Sequence, residues 1–194
     1  MSEEKVQEYL EQQIQSIRDL KKTSTIFQEI FNILKNARDN EKQVFVMGNG
    51  GSASTSSHFV ADLLKTSITN ESNRFKAMSL SDNIPVLLAW SNDESYENIF
   101  SNQLENFLQK NDVVIGISGS GNSKNVLNAI QFANKKQAIT IGLSGKGGGK
   151  LSEIVKISLT IQSDDMLTIE TMHLLVCHLI TTMIRAEGTP RFTY

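Results

Sequence analysis

The sequence predicts an α/β protein: one doubly wound parallel sheet, flanked by helices and preceded by two N-terminal helices. Three observations carry this. Short β-rich runs at 44–47, 75–80, 113–117, 139–143 and 155–161 alternate with helical segments near 53–65, 84–90, 97–108, 123–135 and 166–185. The runs are continuously apolar, as strands covered on both faces require. Two glycine–serine segments each follow such a run and precede a helix, which is where open α/β sheets bind ligands.

Taken in order, residues 5–20 place Val6, Tyr9, Leu10, Ile14, Ile17 and Leu20 on one helical stripe. A second helix follows with Ile26, Phe27, Ile30, Phe31, Ile33 and Leu34, and its wider apolar face predicts heavier burial. Thr23 and Ser24 are expected to cap it. These two helices either pack on the α/β body or make a subunit contact. No proline-rich or serine-rich linker and no repeat interrupts the rest. The expected organisation is therefore a single domain over 1–194, with N-terminal helices in 1–40 and an α/β body in 41–194.

The 194 residues suit one sizeable core, and a net charge of −2 points to neither nucleic acid nor an anionic membrane as partner. The single cysteine, Cys177, excludes an intrachain disulfide and a thiolate metal pair. It reads as a small buried hydrophobe. The polar start Met1-Ser2-Glu3-Glu4-Lys5 is unlike a signal peptide, and no apolar run is expected to span a bilayer. A cytoplasmic location follows as the default.

The first loop is Gly48-Asn49-Gly50-Gly51-Ser52-Ala53 and the second Ser118-Gly119-Ser120-Gly121-Asn122-Ser123. Glycines let backbone approach a ligand, and a helix N-terminus offers free N–H groups and a positive dipole end, which suits a phosphate. Ser118, Ser120 and Ser123 add hydroxyl donors. Either loop alone is equally well read as a turn of small residues; two in one small sheet favour ligand binding. The first loop also fits the Gly-x-Gly-x-x-Ala dinucleotide pattern. That reading ranks lower, because Asp82 lies farther on than the ~20 residues a ribose-binding acid usually does. A third cluster, Gly145-Lys146-Gly147-Gly148-Gly149-Lys150, lacks phosphate-loop spacing and is expected to be a mobile loop.

His58 and Asp62 are four apart and share a helical face. Glu170 and His178 lie on the last helix with His173 between them. Two histidines and two carboxylates suit a divalent transition metal. Glu170 and His178 are about 12 Å apart along the helix axis, so one ion spans them only if both side chains extend or another subunit contributes. The plainer readings are a solvated charge for Asp62 and a hydrogen-bonded core residue for His173.

These residues together resemble the phosphoheptose isomerase family of sugar isomerase (SIS) domains. The resemblance runs from about 44 to about 184. It rests on Gly48 to Ser52, His58-Phe59-Val60-Ala61-Asp62, Asn92-Asp93, Ser118 to Ser123 with Lys124-Asn125-Val126, Ser163-Asp164-Asp165, Ile169-Glu170 and His178. It implies an SIS-type sheet and conversion of sedoheptulose 7-phosphate to D-glycero-D-manno-heptose 7-phosphate in a homotetramer with sites between subunits. It implies substrate contacts from Asn49, Gly50, Gly51, Asn92 and Asp93, with Asp62 and Glu170 at the same site, and phosphate contacts from Ser118, Gly119, Ser120 and Ser123. It implies one zinc per subunit on His58, Asp62, Glu170 and His178, with Asp62 and His178 also carrying the acid–base work. Four positions depart from the family pattern: Asp62 for Glu, Gly119 for Thr, Thr168 for Arg and Glu170 for Gln.

An aldose–ketose isomerase needs a base at the C–H proton and stabilisation of a developing oxyanion. Asp62 is the expected base and His178 its partner. The rivals are a non-catalytic phosphosugar-binding or regulatory protein, like the SIS relatives that associate with the replication initiator DnaA, an isomerase of another phosphosugar, and a nicotinamide-dependent oxidoreductase.

Overall fold

The computed structural model describes residues 3–192. Met1 and Ser2, at the start compared above with a signal peptide, and Thr193 and Tyr194 lie outside the described residues. Five strands pair in parallel: β1 (Gln43–Gly48), β2 (Lys76–Ser79), β3 (Val113–Ser118), β4 (Ile139–Ser144) and β5 (Ile157–Thr160). Their order is β2-β1-β3-β4-β5. The expected parallel, doubly wound sheet is present, with strand ends within a residue or two of the apolar runs.

The helices are α1 (Glu3–Lys21), α2 (Ser24–Asp39), α3 (Gly51–Ala61), α4 (Ile84–Asp93), α5 (Ser101–Phe107), α6 (Lys124–Lys135), α7 (Gly149–Ile154) and α8 (Met166–Arg185). Alternation along the strands divides the interior in two. Val44, Val46, Ile115, Ile117, Ile141 and Leu143 face α2, α3 and α8, through Phe31, Leu34, Phe59, Met172 and Val176 among others. Phe45, Met47 and Val114 face the other way, against Phe100, Leu104, Val126, Ile130 and Leu151. Each face thus buries its own apolar set, which is why the strands read as unbroken apolar runs.

Three expectations change. Thr23 does not cap α2 with its side chain; its hydroxyl donates to the Leu20 carbonyl at 2.8 Å and closes the end of α1. The Gly145–Lys150 cluster is not a loose loop. It turns into α7 and is pinned by backbone bonds from Gly145 to the Gly119 carbonyl (3.1 Å) and from Leu151 to the Gly121 carbonyl (2.9 Å). Finally, α8 is, by length and a mean hydropathy of 1.5, apolar enough to cross a membrane, although half of it is buried inside the protein against the sheet and α3. It is the core helix of the first face, and its apolar character is explained by that packing.

His173 is the core histidine expected from its setting. It is fully buried on α8, and its Nε2–H donates to the Ser144 carbonyl at 3.1 Å. Burial holds its pKa down at about 4, against the opposing pull of that bond. The unfolded chain protonates this ring near 6.5. Between those values the unfolded state binds more proton, so stability rises with pH across that window and is lost as pH falls. The expected loss attributable to His173 is about 3 kcal/mol from pH 6.5 to pH 4. Urea unfolding of wild type and His173→Gln across this range checks it: the variant should show a shallower slope, and parallel curves would remove His173 as the cause.

Candidate active site

Strand order reverses direction between β1 and β3, so the chain leaves these neighbours toward opposite sides and opens a crevice at their carboxyl ends. Both glycine–serine loops sit there. After β1, Gly50 takes φ +53, and α3 starts at Gly51 with no side-chain cap. After β3, the Ser123 hydroxyl pairs with Ser118 Oγ at 3.0 Å and does not cap α6. Two helix N-termini therefore point their positive ends at one crevice. Between them lies a groove of about 210 Å3, lined by Asn49, Ser52, Ile117, Ser118, Gly119, Ser120, Ser123, Met166 and Glu170.

The third glycine cluster shapes this groove from behind. Lys150 N–H donates to Asn122 Oδ1 at 3.2 Å. A Cβ on Gly121, at φ +64, would run into the Gly148 backbone. Sequence spacing hid this role, because the cluster touches the serine loop through backbone alone.

From the crevice, α3 and α8 run side by side in the same direction. Glu170 stands beside Gly51, where a Cβ would meet its carboxylate carbon at 2.7 Å. Two turns farther along both helices His58 meets His178, with Nε2 to Nε2 at 3.0 Å and ring centroids 4.9 Å apart. Asp62 completes the group. Its Oδ2 lies 3.7 Å from His58 Nε2 and 3.8 Å from His178 Nε2, while the backbone from Asp62 to Thr66 widens into a π-helical turn. Asp62 is only 8% exposed, and its buried Oδ2 has no hydrogen-bond partner. It is therefore not the solvated charge of the plainer reading. An isolated buried carboxylate oxygen is costly, and such atoms mark sites that bind or react.

The donor set fits a divalent metal. One ligand atom from each of His58, Asp62 and His178 lies within 4.8 Å of the others. Four-coordinate zinc with ~2.1 Å bonds places its ligand atoms about 3.4 Å apart. The observed separations of 3.0, 3.7 and 3.8 Å bracket that value. Three protein ligands leave one position open, the pattern of catalytic zinc sites. Glu170, the fourth residue of the expected set, does not join them; it lies two turns back along α8, in the groove.

Other expected residues are placed differently. Asn92 and Asp93 end the exposed helix α4, and Asn92 Nδ2 donates to Asp93 Oδ1 at 2.7 Å. Neither lines the groove. Thr168 is fully buried and accepts a 2.6 Å bond from Gln13 of α1, so it meets no ligand from the groove. Gly119 leaves room that Met166 fills: a Cβ there would collide with the thioether. Ser52, Ile117 and Met166 were not anticipated as lining. Ser52 belongs to the first glycine–serine motif but was given no contact there; Ile117 and Met166 carried no signal. Cys177 is buried, and burial, with the Asp62 charge nearby, pushes its thiol up, so it is no nucleophile.

Comparison with known proteins finds relatives over most of the chain. A family model described as SIS domain matches residues 8–145. A phosphoheptose isomerase of Helicobacter pylori is 37% identical over 177 residues, covering 91% of this chain and 88% of the relative. A solved phosphoheptose isomerase from Neisseria gonorrhoeae superposes with a TM-score of 0.88 at 26% identity, covering 94% of this chain and 98% of that one. One from Francisella tularensis gives 0.89 at 26%, covering 96% and 100%.

Proposed function

The chain belongs to the SIS domain family and, within it, to the phosphoheptose isomerases, and from that premise we propose that it converts sedoheptulose 7-phosphate to D-glycero-D-manno-heptose 7-phosphate through an enediol. The observation that carries the choice of substrate is a span. The anion-binding groove and the His58–Asp62–His178 group are about 10–12 Å apart along α3 and α8, counted from Gly51 to His58 and from Glu170 to His178. Side chains lean toward helix N-termini and shorten this somewhat. An extended seven-carbon sugar phosphate measures roughly 10 Å from phosphorus to C1. A phosphate held by Ser118, Ser120 and Ser123 thus delivers C1 and C2 to Asp62.

In this reading remote phosphate binding positions the reacting end. The Asp62 carboxylate takes a proton from C1 of the ketose. The C–H electron pair becomes the C1=C2 bond while O2 takes a proton from His178 Nδ1, the ring nitrogen outside the donor triangle. Asp62 then returns its proton to C2 and His178 takes the O1 proton, so one hydrogen moves from C1 to C2 and one from O1 to O2 with no net oxidation. Zinc held by His58, Asp62 and His178 would supply a Lewis acid that polarises the carbonyl. Glu170 and Asn49 face the ligand from the groove, with Gly50 leaving open space for close backbone approach and Gly51 and Gly119 admitting the Glu170 and Met166 side chains beside the ligand. Asn92 and Asp93 are kept as sugar contacts made on ligand binding.

The test is turnover of sedoheptulose 7-phosphate followed by NMR with and without added zinc. Aldose formation that zinc supports is the expected result. No reaction with this or any phosphosugar in a panel would give the lead to a binding protein. Reaction with a different phosphosugar would move the specificity, which the departures at Asp62 and Glu170 bear on.

The reading includes a single domain over 1–194, a cytoplasmic enzyme and a homotetramer. Val6, Leu10, Ile14 and Ile17 of α1 are exposed, and an apolar groove of about 370 Å3 between Ile17, Leu20, Phe27, Leu175 and Leu179 adjoins them. Together they make a face that subunit packing would bury. Light scattering at micromolar concentration should give a tetramer's mass; a fully active monomer would refute the assembly.

A further inference from the structure

The motifs assign no role to Tyr96, yet a chain of hydrogen bonds ends on its hydroxyl. The chain starts at a group whose polarity is beyond doubt. The backbone N–H of Val126 can only donate, and it donates to Asn125 Oδ1 at 2.9 Å. That orients the Asn125 amide, which is 2% exposed. The same Oδ1 accepts from Asn49 Nδ2 at 2.9 Å, while Asn125 Nδ2 donates to Asn49 Oδ1 at 2.8 Å. The Asn49 amide is therefore oriented too, with its oxygen facing the phenol. Tyr96 OH must donate to that oxygen, at 2.8 Å. Both lone pairs of Asn49 Oδ1 are then engaged. One amide N–H of Asn49 is left to offer, and no acceptor.

Tyr96 also belongs to a different part of the site. It opens the 3-10 turn Tyr96–Asn98, just beyond Asn92 and Asp93. That turn is fastened to α6 by Lys124 Nζ on Glu97 Oε1 at 2.8 Å, and by Asn128 Nδ2 on the Glu97 carbonyl at 3.0 Å. The preceding helix α4 has no buried residue at all. The phenol joins this segment to the first glycine loop.

We propose that Tyr96 is a positioning residue of the active site: its hydroxyl takes the remaining lone pair of the Asn49 amide that Asn125 orients and holds that amide in place, so that an N–H and no acceptor is presented to an oxygen of the bound phosphosugar, and it ties the Asn92–Asp93 segment to the groove. The proposal rests on the isomerase reading for its substrate, but the lock itself does not depend on turnover. Removing one neutral hydrogen bond that orients a ligand contact should weaken ligand engagement roughly 3- to 10-fold. A substrate-positioning effect of this kind appears in KM, with kcat changed less.

The experiment is a double-mutant cycle of Tyr96→Phe and Asn49→Ala, read in two ways. By calorimetry with sedoheptulose 7-phosphate, and by kinetics where turnover is found, Tyr96→Phe should weaken binding or raise KM by the stated factor. It should do almost nothing further in the Asn49→Ala background, because the two residues act through one bond. By NMR of 15N-labelled protein without ligand, Tyr96→Phe should shift and broaden the Asn49 side-chain amide pair, identified by its absence in Asn49→Ala. Thermal melting of each variant checks that the fold is kept. An unchanged Asn49 amide signal would overturn the lock even in an active enzyme. An undiminished Tyr96→Phe effect in the Asn49→Ala background would overturn it in favour of direct contact between Tyr96 and the ligand. A perturbed amide signal in a protein that turns over nothing would support the lock and leave the isomerase reading as the part that failed.

Discussion

Asp62→Asn is expected to cut turnover of the phosphosugar by roughly 10²-fold or more, the usual worth of a positioned general base. The substitution keeps the shape and removes both the base and the charge. The geometry makes the effect specific. Asp62 Oδ2 is buried, unpartnered and nearly equidistant from two imidazole nitrogens, so an amide there presents a neutral oxygen or a clashing N–H2 where a metal or a C–H proton has to be met. Bound zinc should fall in parallel. His178→Ala should behave alike, since it removes one vertex of the same triangle. Asp62→Glu should retain appreciable activity, because it keeps the charge and adds one methylene of reach. Turnover and metal content of the three variants decide the matter. If wild type is active and Asp62→Asn leaves its rate intact, Asp62 is not the base.

Gly121→Ala should be the most damaging small substitution in the second loop, costing roughly 2–4 kcal/mol and about 5–15 °C in Tm. Two effects add. A residue with Cβ is strained at φ +64, and that Cβ is driven into the Gly148 backbone, with the Gly148 carbonyl carbon at 2.6 Å and Gly149 Cα at 3.0 Å. Backbone cannot rotate aside as a side chain can. Gly147→Ala is the matched control: φ is +76 there, but nothing lies within 4 Å of the new methyl, so only the conformational cost of about 1 kcal/mol remains. Thermal melts of both variants test this. Equal losses would show that the packing of the third glycine cluster on the serine loop contributes nothing. Phosphosugar affinity should fall with Gly121→Ala and hold with Gly147→Ala.

Much of this was legible in the sequence, and the reasons are physical. Strands buried on both faces must be apolar throughout, so β1, β3 and β4 announced themselves. A ligand loop at the end of a parallel strand needs small residues and a free helix start, so Gly48–Ser52 and Ser118–Ser123 were visible. The His58–Asp62 spacing alone put both on one helical face, although only the structure showed Asp62 to be buried at the π-helical turn that follows α3. What stayed hidden depends on contacts distant in sequence or made by backbone. The six-residue helix α7 follows a run of glycines, which read as a loop, because its order comes from bonds to Gly119, Gly121 and Asn122. Tyr96 reached Asn49 across 47 positions through a single hydroxyl. The two helical turns between Glu170 and His178 were equally legible, and within one subunit they leave Glu170 in the groove and outside the His58–Asp62–His178 group.

The meeting of His58 with His178 spans 120 positions of chain. A ribosome making this protein therefore releases the first two members of the triad, His58 and Asp62, well before the third exists. Contacts so remote in sequence form late and pay the loop-closure cost of everything between them. A nascent or truncated chain ending before α8 offers only a histidine and a carboxylate on an exposed helix face, too few donors to hold an ion firmly. The complete donor triangle is in this sense an inspection of the finished fold, because His58, Asp62 and His178 come together only in a chain folded through to α8.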